Sequence, residues 1–258
     1  MSVTALVRAP SPRLADDAEL TFLPRRPVDL ALAREQHAAY VEVLHRLGVE
    51  VVWLPPLPAF PDGVFVEDTV VIVDRLALLT RPGARSRRAE VDSVRATLHA
   101  CSWPTVGIRP PATLDGGDVL QVDRTVYVGR SSRSDQGAVE QLEALLAPLG
   151  RSVIGVPVDG ALHLKTAATA LPDGTILAIA DAVDVRAFGE HEVVEPPEPA
   201  GANVLLVGDT VVVPTSAPRT AELIASRGFV IERLDLSELE KVEAGLTCMS
   251  VLLPSDPA

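Results

Sequence analysis

Short β-rich segments and longer amphipathic segments alternate along this chain, and the pattern recurs at intervals of roughly 50 residues. The amphipathic segments with helical spacing are 30–47, 87–100, 136–149, a weak one at 183–188, and 219–227. Runs rich in valine, isoleucine and leucine flank each of them and predict strands. The recurrence predicts about five modules around an axis, each built from strands plus one helix.

A doubly wound nucleotide-binding sheet is the competing α/β architecture. That sheet needs a Gly-x-Gly-x-x-Gly turn after a strand, or a Walker loop, and the sequence contains neither. Turn signals such as Pro82-Gly83 separate the apolar runs, and no Ser/Gly linker or low-complexity tract divides them. We therefore expect a single domain over residues 1–258.

The first amphipathic segment has the clearest predicted boundaries. Asp29 precedes it as a candidate N-cap, and Gly48 follows it as a candidate left-handed C-cap. Between them, Tyr40, Val41 and Leu44 recur near helical spacing. These signals predict a helix over 30–47.

Charge and composition narrow the classes of partner. The formal net charge of −12 would repel phosphate backbones, so we do not expect nucleic acid as a partner. An acidic chain suits a cationic small molecule, although the same charge also serves solubility. The longest apolar runs are far shorter than the roughly 20 residues of a membrane span, and no secretory signal is evident, so we expect a cytoplasmic protein away from the membrane.

Only two cysteines occur, Cys101 and Cys248, and neither has the spacing of a disulfide framework or a zinc site. Either thiol could be a small core hydrophobe, because cysteine is often buried. A nucleophilic role for Cys248 would require a base or a positive charge brought in by the fold. We expect no metal and no cofactor.

Among the five histidines, His163 differs from the rest because it lies in the apolar run GALHLKTAATAL, which predicts a strand. His37, His45 and His99 lie on predicted helices among charged neighbours and are expected at the solvated surface. His163 is either a hydrogen-bonded core histidine or a catalytic base that needs a carboxylate to orient it.

Two pairs of acidic residues could complete such a site. In TLDGGDVL, Asp115 and Asp118 either shape a Gly-Gly turn or direct one carboxylate at an imidazole. In FPDGVFVEDTVVIV, Glu67 and Asp68 are predicted at adjacent strand positions, where they are either solvated edge charges or a pair facing a guanidinium. Arg87 and Arg133 are candidates for holding a carboxylate, although a single arginine more often serves the surface.

Six segments together carry a resemblance that covers nearly the whole chain in order: FPDGVFVEDTVVIV, TRPGARSRRAE, ATLDGGDVL, GRSSRSDQG, DGALHLKTA and SELEKVEAGLTCMSVLL. Taken together, these segments resemble the dimethylarginine dimethylaminohydrolase family of the guanidino-group-modifying superfamily. The resemblance implies a five-bladed α/β-propeller of ββαβ-type modules around a pseudo-fivefold axis, with the site in the central channel. That architecture agrees with the repeat read from the residues.

The resemblance also implies roles for individual residues. Cys248 would be the nucleophile, His163 the general acid and base, and Asp115 the residue that orients His163. The substrate, a methylated arginine, would be held by a larger set: Glu67 and Asp68 at the guanidinium, Arg87 and Arg133 at the carboxylate, Asp62 and the Val242 carbonyl at the α-amino group, with Phe65 lining the channel and Leu20 on a lid.

The implied reaction converts asymmetric dimethylarginine or monomethylarginine to citrulline and an amine through a covalent S-alkylthiouronium on Cys248. Arginine deimination or amidino transfer by the same superfamily, and a catalytically silent guanidine-binding module, are the alternatives. The sequence leaves open whether the protein forms a homodimer.

Overall fold

The computed structural model describes residues 3–18 and 20–254, and their strands form five separate sheets of three strands each. The strands are Val3–Val7 (β1), Val49–Trp53 (β2), Val70–Val73 (β3), Leu76–Leu79 (β4), Thr105–Gly107 (β5), Val119–Val122 (β6), Thr125–Arg130 (β7), Ser152–Pro157 (β8), Ala168–Ala170 (β9), Ile176–Ala178 (β10), Val193–Val194 (β11), Leu205–Val207 (β12), Thr210–Pro214 (β13), Val230–Leu234 (β14) and Ser250–Pro254 (β15).

The five sheets share one arrangement. In each, an antiparallel pair such as β3–β4 is extended by a parallel strand such as β5. A parallel neighbour requires a crossover, and helices supply it in four of the sheets, because hairpin turns cannot connect parallel strands. The α-helices are Leu14–Asp17 (α1), Leu30–Arg46 (α2), Glu90–Ala100 (α3), Gln136–Leu146 (α4), Leu164–Ala167 (α5), Pro218–Ser226 (α6) and Ser237–Glu240 (α7).

The helix predictions hold where capping signals were present. The Asp29 carboxylate accepts the N–H groups of Ala31 and Leu32, and α2 ends before Gly48, whose φ is +78°. The predicted helices at 87–100 and 136–149 begin or end instead in 3-10 turns, Arg85–Arg87 and Ala147–Leu149. The weak segment at 183–188 forms the 3-10 helix Val185–Phe188, which connects β10 and β11.

A short helical turn precedes one edge strand of every sheet, and we call these the five inner turns. They are Val66–Thr69, Gly116–Asp118, α5, Pro199–Ala202 and Thr247–Met249. Neighbouring turns contact one another, and the Asn203 side chain closes the ring by bonding both the N–H and the hydroxyl of Thr247. The architecture therefore brings five chain segments, far apart in sequence, to one centre.

The sheet β15–β1–β2 joins the two ends of the described chain. β1 pairs antiparallel with β15 and parallel with β2, so the last described strand completes the first module. Among the described residues, the longest helix, α2, has 17 residues, and none has the length and apolar character needed to cross a membrane.

Two sequence predictions of strands, for the segments of Glu67 and His163, are wrong at their beginnings. Glu67 and Asp68 lie in an inner turn, and the strand starts only at Val70. His163 lies at the N-cap of α5, and Cys248 lies in the turn before β15. Tertiary partners fix these turns, since the N–H of Leu164 bonds to Asp118 and the N–H of Thr247 bonds to Asn203.

Candidate active site

A small cavity of about 30 Å³ lies where the inner turns meet. Most of the predicted site residues line it: Asp62, Phe65, Asp68, Arg87, Asp115, Arg133, His163, Val242 and Cys248. Leu162 and Glu243, which the sequence analysis did not select, complete the wall. Glu67 and Leu20 are not among the lining residues. Their predicted contacts with substrate stay predictions.

The imidazole of His163 is held between two carboxylates. Its Nε2 lies 3.0 Å from Asp115 Oδ2, and its Nδ1 lies 3.7 Å from Asp68 Oδ1. Asp115 is itself fixed, because its Oδ1 accepts the Gly83 N–H at 2.8 Å. Burial lowers the pKa of His163, but the charges of Asp68 and Asp115 outweigh it and raise that pKa to about 9.

Asp118 holds the backbone beside His163. Its Oδ1 accepts the Leu164 N–H at 2.8 Å, and its Oδ2 accepts the hydroxyls of Ser131 and Ser134. Burial raises the pKa of Asp118 to about 6 against the opposing charge of His163. Of the two aspartates in TLDGGDVL, Asp115 therefore meets the imidazole and Asp118 anchors the turn that carries it.

Arg87 is occupied largely by protein acceptors. It pairs with Asp68 and with Glu90, and its Nη2 donates to the carbonyls of Asp62 and Phe65 at 3.2 and 2.9 Å. A guanidinium has five N–H groups, so this arginine has little donor capacity left for a substrate carboxylate. Its observed contacts are those of a residue that fixes Asp68 and the Asp62–Phe65 backbone.

Glu67 is directed away from the cavity by two donors. Lys165 Nζ lies 2.5 Å from its Oε1, and the Thr247 hydroxyl donates to its Oε2 at 2.8 Å. Burial raises the pKa of Glu67, while the charge of Lys165 opposes that rise. Glu67 and Asp68 lie in an inner turn, and their carboxylates have different partners: Lys165 and Thr247 bond to Glu67, and Arg87 and Gly117 bond to Asp68. That the two act together on a guanidinium stays a prediction.

The thiol of Cys248 is half-buried beside these carboxylates. Its Sγ accepts the Gly245 N–H at 3.4 Å, and the thiol is free. Burial raises the pKa of Cys248, and the charges of Glu67 and Asp68 raise it further. The resting thiol therefore keeps its proton at neutral pH.

Arg133 connects the cavity to the segment that follows α1. Its Nη2 donates to the Thr21 hydroxyl at 3.0 Å. Leu20 is half-buried, packs against the apolar cluster that includes Phe65 and Val242, and is not among the lining residues. Thr21 makes the polar contact between this segment and the cavity wall.

Metal-ligand atoms of Asp68, Asp115 and His163 lie within 4.8 Å of one another. Such spacing is compatible with a cation, but the three groups already bond to each other or to Arg87 and backbone N–H groups. A guanidinium adjacent to the cluster opposes a metal ion electrostatically.

The sequence carried weak signals for the residues that were missed. Lys165 lies two positions after His163 in an apolar run, where a buried cation calls for a carboxylate partner. Glu243 has φ of +63°, which no sequence pattern indicates for a glutamate. His37 is also a correction: it is buried against Tyr40 and Trp53 rather than solvated, and its Nε2 has no partner in the described structure.

Comparison with known proteins gives consistent matches. A sequence model described as N,N dimethylarginine dimethylhydrolase, eukaryotic, matches residues 25–194. The N(G),N(G)-dimethylarginine dimethylaminohydrolase of Streptomyces coelicolor is 45% identical, over 98% of this chain and 97% of that protein.

Two solved structures extend the match to three dimensions. A dimethylarginine dimethylaminohydrolase carrying an adduct with S-methyl-L-thiocitrulline has a TM-score of 0.90 at 35% identity, covering 97% of this chain and 99% of the other. The Pseudomonas aeruginosa enzyme, solved as a cysteine-to-serine mutant complexed with citrulline, has a TM-score of 0.89 at 34% identity, covering 97% and 98%. The five three-stranded sheets are thus a known propeller-like α/β fold.

Proposed function

This chain belongs to the dimethylarginine dimethylaminohydrolase family, and we propose on that premise that it hydrolyses N-ω-methylated arginines to citrulline and a methylamine. The observation that carries the proposal is the meeting of Cys248, His163 and Asp68 in one cavity, with Asp115 bonded to the imidazole. A nucleophile, an oriented acid and an anion for the guanidinium are the groups that this hydrolysis needs.

In the first half of the reaction, the Cys248 thiol releases its proton to solvent when the substrate cation binds, because His163 is already protonated. The thiolate then attacks the guanidinium carbon and forms a C–S bond. The substituted nitrogen takes a proton from His163, and its C–N bond breaks to release dimethylamine or methylamine. A thiouronium remains on Cys248. The high pKa of His163 suits this step, since the imidazolium is the form present at neutral pH.

In the second half, His163 is neutral and takes a proton from a water that attacks the same carbon. The tetrahedral adduct collapses, its C–S bond breaks, and citrulline leaves with the carbonyl oxygen supplied by water. Asp115 keeps one ring nitrogen occupied throughout, so the other nitrogen exchanges the proton. No step of this cycle calls for a metal or a cofactor.

The substrate cation would lie against Asp68, which faces the cavity. Glu67 would contribute its charge from outside the cavity wall, because Lys165 and Thr247 hold both of its oxygens. At the other end of the substrate, Arg133 is the better placed arginine for the carboxylate, with Asp62 and the Val242 carbonyl near the α-amino group. Arg87 would support these contacts through Asp68.

A product assay tests the proposal. Purified protein is incubated with asymmetric dimethylarginine, monomethylarginine and arginine, and citrulline and each released amine are measured, with Cys248→Ser as the control. We expect citrulline from both methylated substrates and none from the control. Citrulline from arginine alone would instead indicate a deiminase, and no product from any substrate would indicate a guanidine-binding module.

We further propose a cytoplasmic location and leave a homodimer as an open expectation. Both cysteines are free thiols, one exposed and one half-buried at the cavity, and free thiols suit a reducing compartment.

Apolar side chains are exposed on the outer strands at Trp53, Ile154 and Val230, where a second copy could pack. Light scattering of the purified protein measures the oligomeric state directly.

A further inference from the structure

Residues 20–23 form a strap without regular secondary structure beside the cavity. Three consecutive N–H groups of the strap converge on one carboxylate. Thr21 lies 3.0 Å from Glu243 Oε2, and Phe22 and Leu23 lie 2.5 and 2.6 Å from its Oε1. A carboxylate that receives several N–H groups makes charge-assisted hydrogen bonds, which are stronger than neutral ones.

Glu243 occupies a position shared by two cavities. It lines the small cavity that contains Cys248 and also a larger apolar groove of about 590 Å³ whose walls include Phe22 and Leu23. Its backbone φ of +63° is costly for a residue with a Cβ. The strained turn places its carboxylate under the strap, directly after Val242 and two residues before Gly245, whose N–H bonds to the Cys248 thiol.

With the strap held in this way, the site has little free space. A volume of about 30 Å³ accommodates about two waters, far less than an amino acid with a methylated guanidinium. The strap is also tied through Thr21 to Arg133, on the cavity wall. Binding of a methylated arginine therefore requires the cavity wall to move, and the strap is bonded to that wall at Arg133 and at Glu243.

We propose that Glu243 is a positioning residue that latches the strap over the cavity and thereby sets the rates at which substrate enters and product leaves. Its role is separate from proton transfer, because its carboxylate oxygens are occupied by the strap N–H groups. The inference rests on the proposed function for the identity of the ligand. The latch itself does not depend on the proposed function, because it is a contact within the protein.

Chymotrypsin provides a test that needs no substrate. Phe22 is 45% exposed and supplies the cleavable Phe22–Leu23 bond within the strap. We expect Glu243→Ala to accelerate that cleavage about tenfold, since the three charge-assisted bonds are lost. Glu243→Gln keeps an acceptor without the charge and should fall between the two.

Glu240→Ala is the matched control. Glu240 lines the same groove, bonds to the Ser216 hydroxyl and does not line the cavity with Cys248. We expect it to leave strap cleavage within about twofold of the parent protein, because the N–H groups of the strap do not bond to it. Unchanged cleavage in Glu243→Ala, or equal acceleration at aromatic bonds elsewhere together with a lower melting temperature, overturns the latch.

Ligand exchange supplies the second readout. In a Cys248→Ser background, which prevents turnover, dissociation of asymmetric dimethylarginine is measured by stopped flow with and without Glu243→Ala. Dissociation about tenfold faster supports the latch, and an unchanged rate opposes it. If neither protein binds the ligand, the proposed function falls, while the cleavage experiment still decides the latch.

Discussion

The thiol and the imidazole of this site both hold their protons at neutral pH. Burial raises the pKa of Cys248, and the charges of Glu67 and Asp68 raise it further. The same Asp68, with Asp115, overrides burial and raises the pKa of His163 to about 9. A substrate cation beside these carboxylates would cancel part of their charge and favour the thiolate, so that the nucleophile forms when substrate is present.

Alkylation of the free protein tests this order of events. In a Cys101→Ser background, which removes the exposed second thiol, the rate of Cys248 reaction with iodoacetamide should rise with pH to an apparent pKa well above 7. The pKa of Cys248 is expected to be high because burial and the neighbouring carboxylates both disfavour the thiolate. A thiolate already formed at pH 6 would contradict substrate-assisted activation.

Lys165 offers a second residue-scale prediction. Without the charge of Lys165, the pKa of Glu67 should rise further, since burial raises that pKa and Lys165 opposes the rise. Lys165→Met should therefore move the acidic limb of the kcat/KM profile to higher pH and raise KM about tenfold at pH 7. Lys165→Arg, which keeps the charge, should retain the parent profile. An acidic limb that stays in place in Lys165→Met would show that ionised Glu67 is not needed.

The burial of His37 predicts that the protein loses stability in acid. Burial lowers its pKa from 6.5 to about 4, so the folded protein favours the neutral ring. The stabilisation is fully present above pH 6.5 and is lost as pH falls towards 4. His37→Phe should remove that loss, which is about 3 kcal/mol at most by linkage.

Urea unfolding at pH 7.5 and pH 4.5 measures the effect. The difference in free energy of unfolding between the two pH values should be smaller in His37→Phe than in the parent. The exposed His45 provides the control, and His45→Gln should leave the difference unchanged. Parallel losses in His37→Phe and the parent would exclude His37 as the source.

At the scale of elements, the inner turns position the side chains of the proposed active site. A Cβ on Gly117 would lie 2.6 Å from His163 Nδ1 and 2.8 Å from Asp68 Oδ1, closer than real contacts allow. The turn Gly116–Asp118 therefore needs glycine so that the turns carrying Asp68 and His163 can approach each other. This close packing explains why the His163 imidazole and the Asp68 carboxylate line one cavity.

Gly117→Ala should consequently reduce kcat much more than it reduces stability. Displacing a catalytic group by about 1 Å can cost about 100-fold in rate, whereas overpacking costs about 1–3 kcal/mol. Gly155→Ala, whose Cβ would meet neighbours at an ordinary 3.5 Å, is the matched control. Activity and melting temperature are compared in both, and a kcat unchanged in Gly117→Ala would contradict the packing argument.

The elements also show how far the sequence could predict this structure. Helix α2 was predicted closely, because Asp29 and Gly48 mark its ends through local chemistry. The inner turns that carry Glu67 and His163 were predicted as strands, because segments such as GALHLKTAATAL are apolar and the bond from Leu164 to Asp118 spans 46 positions. Cys248, His163 and Asp115 were selected through family motifs, and the fold brings them to one cavity. The contacts of Lys165 and Glu243 arise only in the fold.

For the whole molecule, the closing contact is the pairing of β1 with β15. The register from Val3 with Pro254 to Val7 with Ser250 makes the first module depend on the last strand. Cys248 lies just before that strand, so the pairing that closes the ring also positions the proposed nucleophile. We therefore propose that residues 1–258 form one cooperative domain, in which a substitution at the β1–β15 pairing lowers the stability of every module.

Leu253→Ala tests that cooperativity. Leu253 is buried in the cluster that also includes Leu6 and Leu98, and its truncation should cost about 2–4 kcal/mol of unfolding free energy. Loss of ellipticity and the change in fluorescence of Trp53 and Trp103 should still coincide in one transition, shifted as a unit, because a single domain unfolds as a whole. Leu252→Ala, at the half-buried neighbouring position, should shift the transition less. Separate transitions for the two signals would mean that the modules unfold independently and that closure by β15 does not couple them.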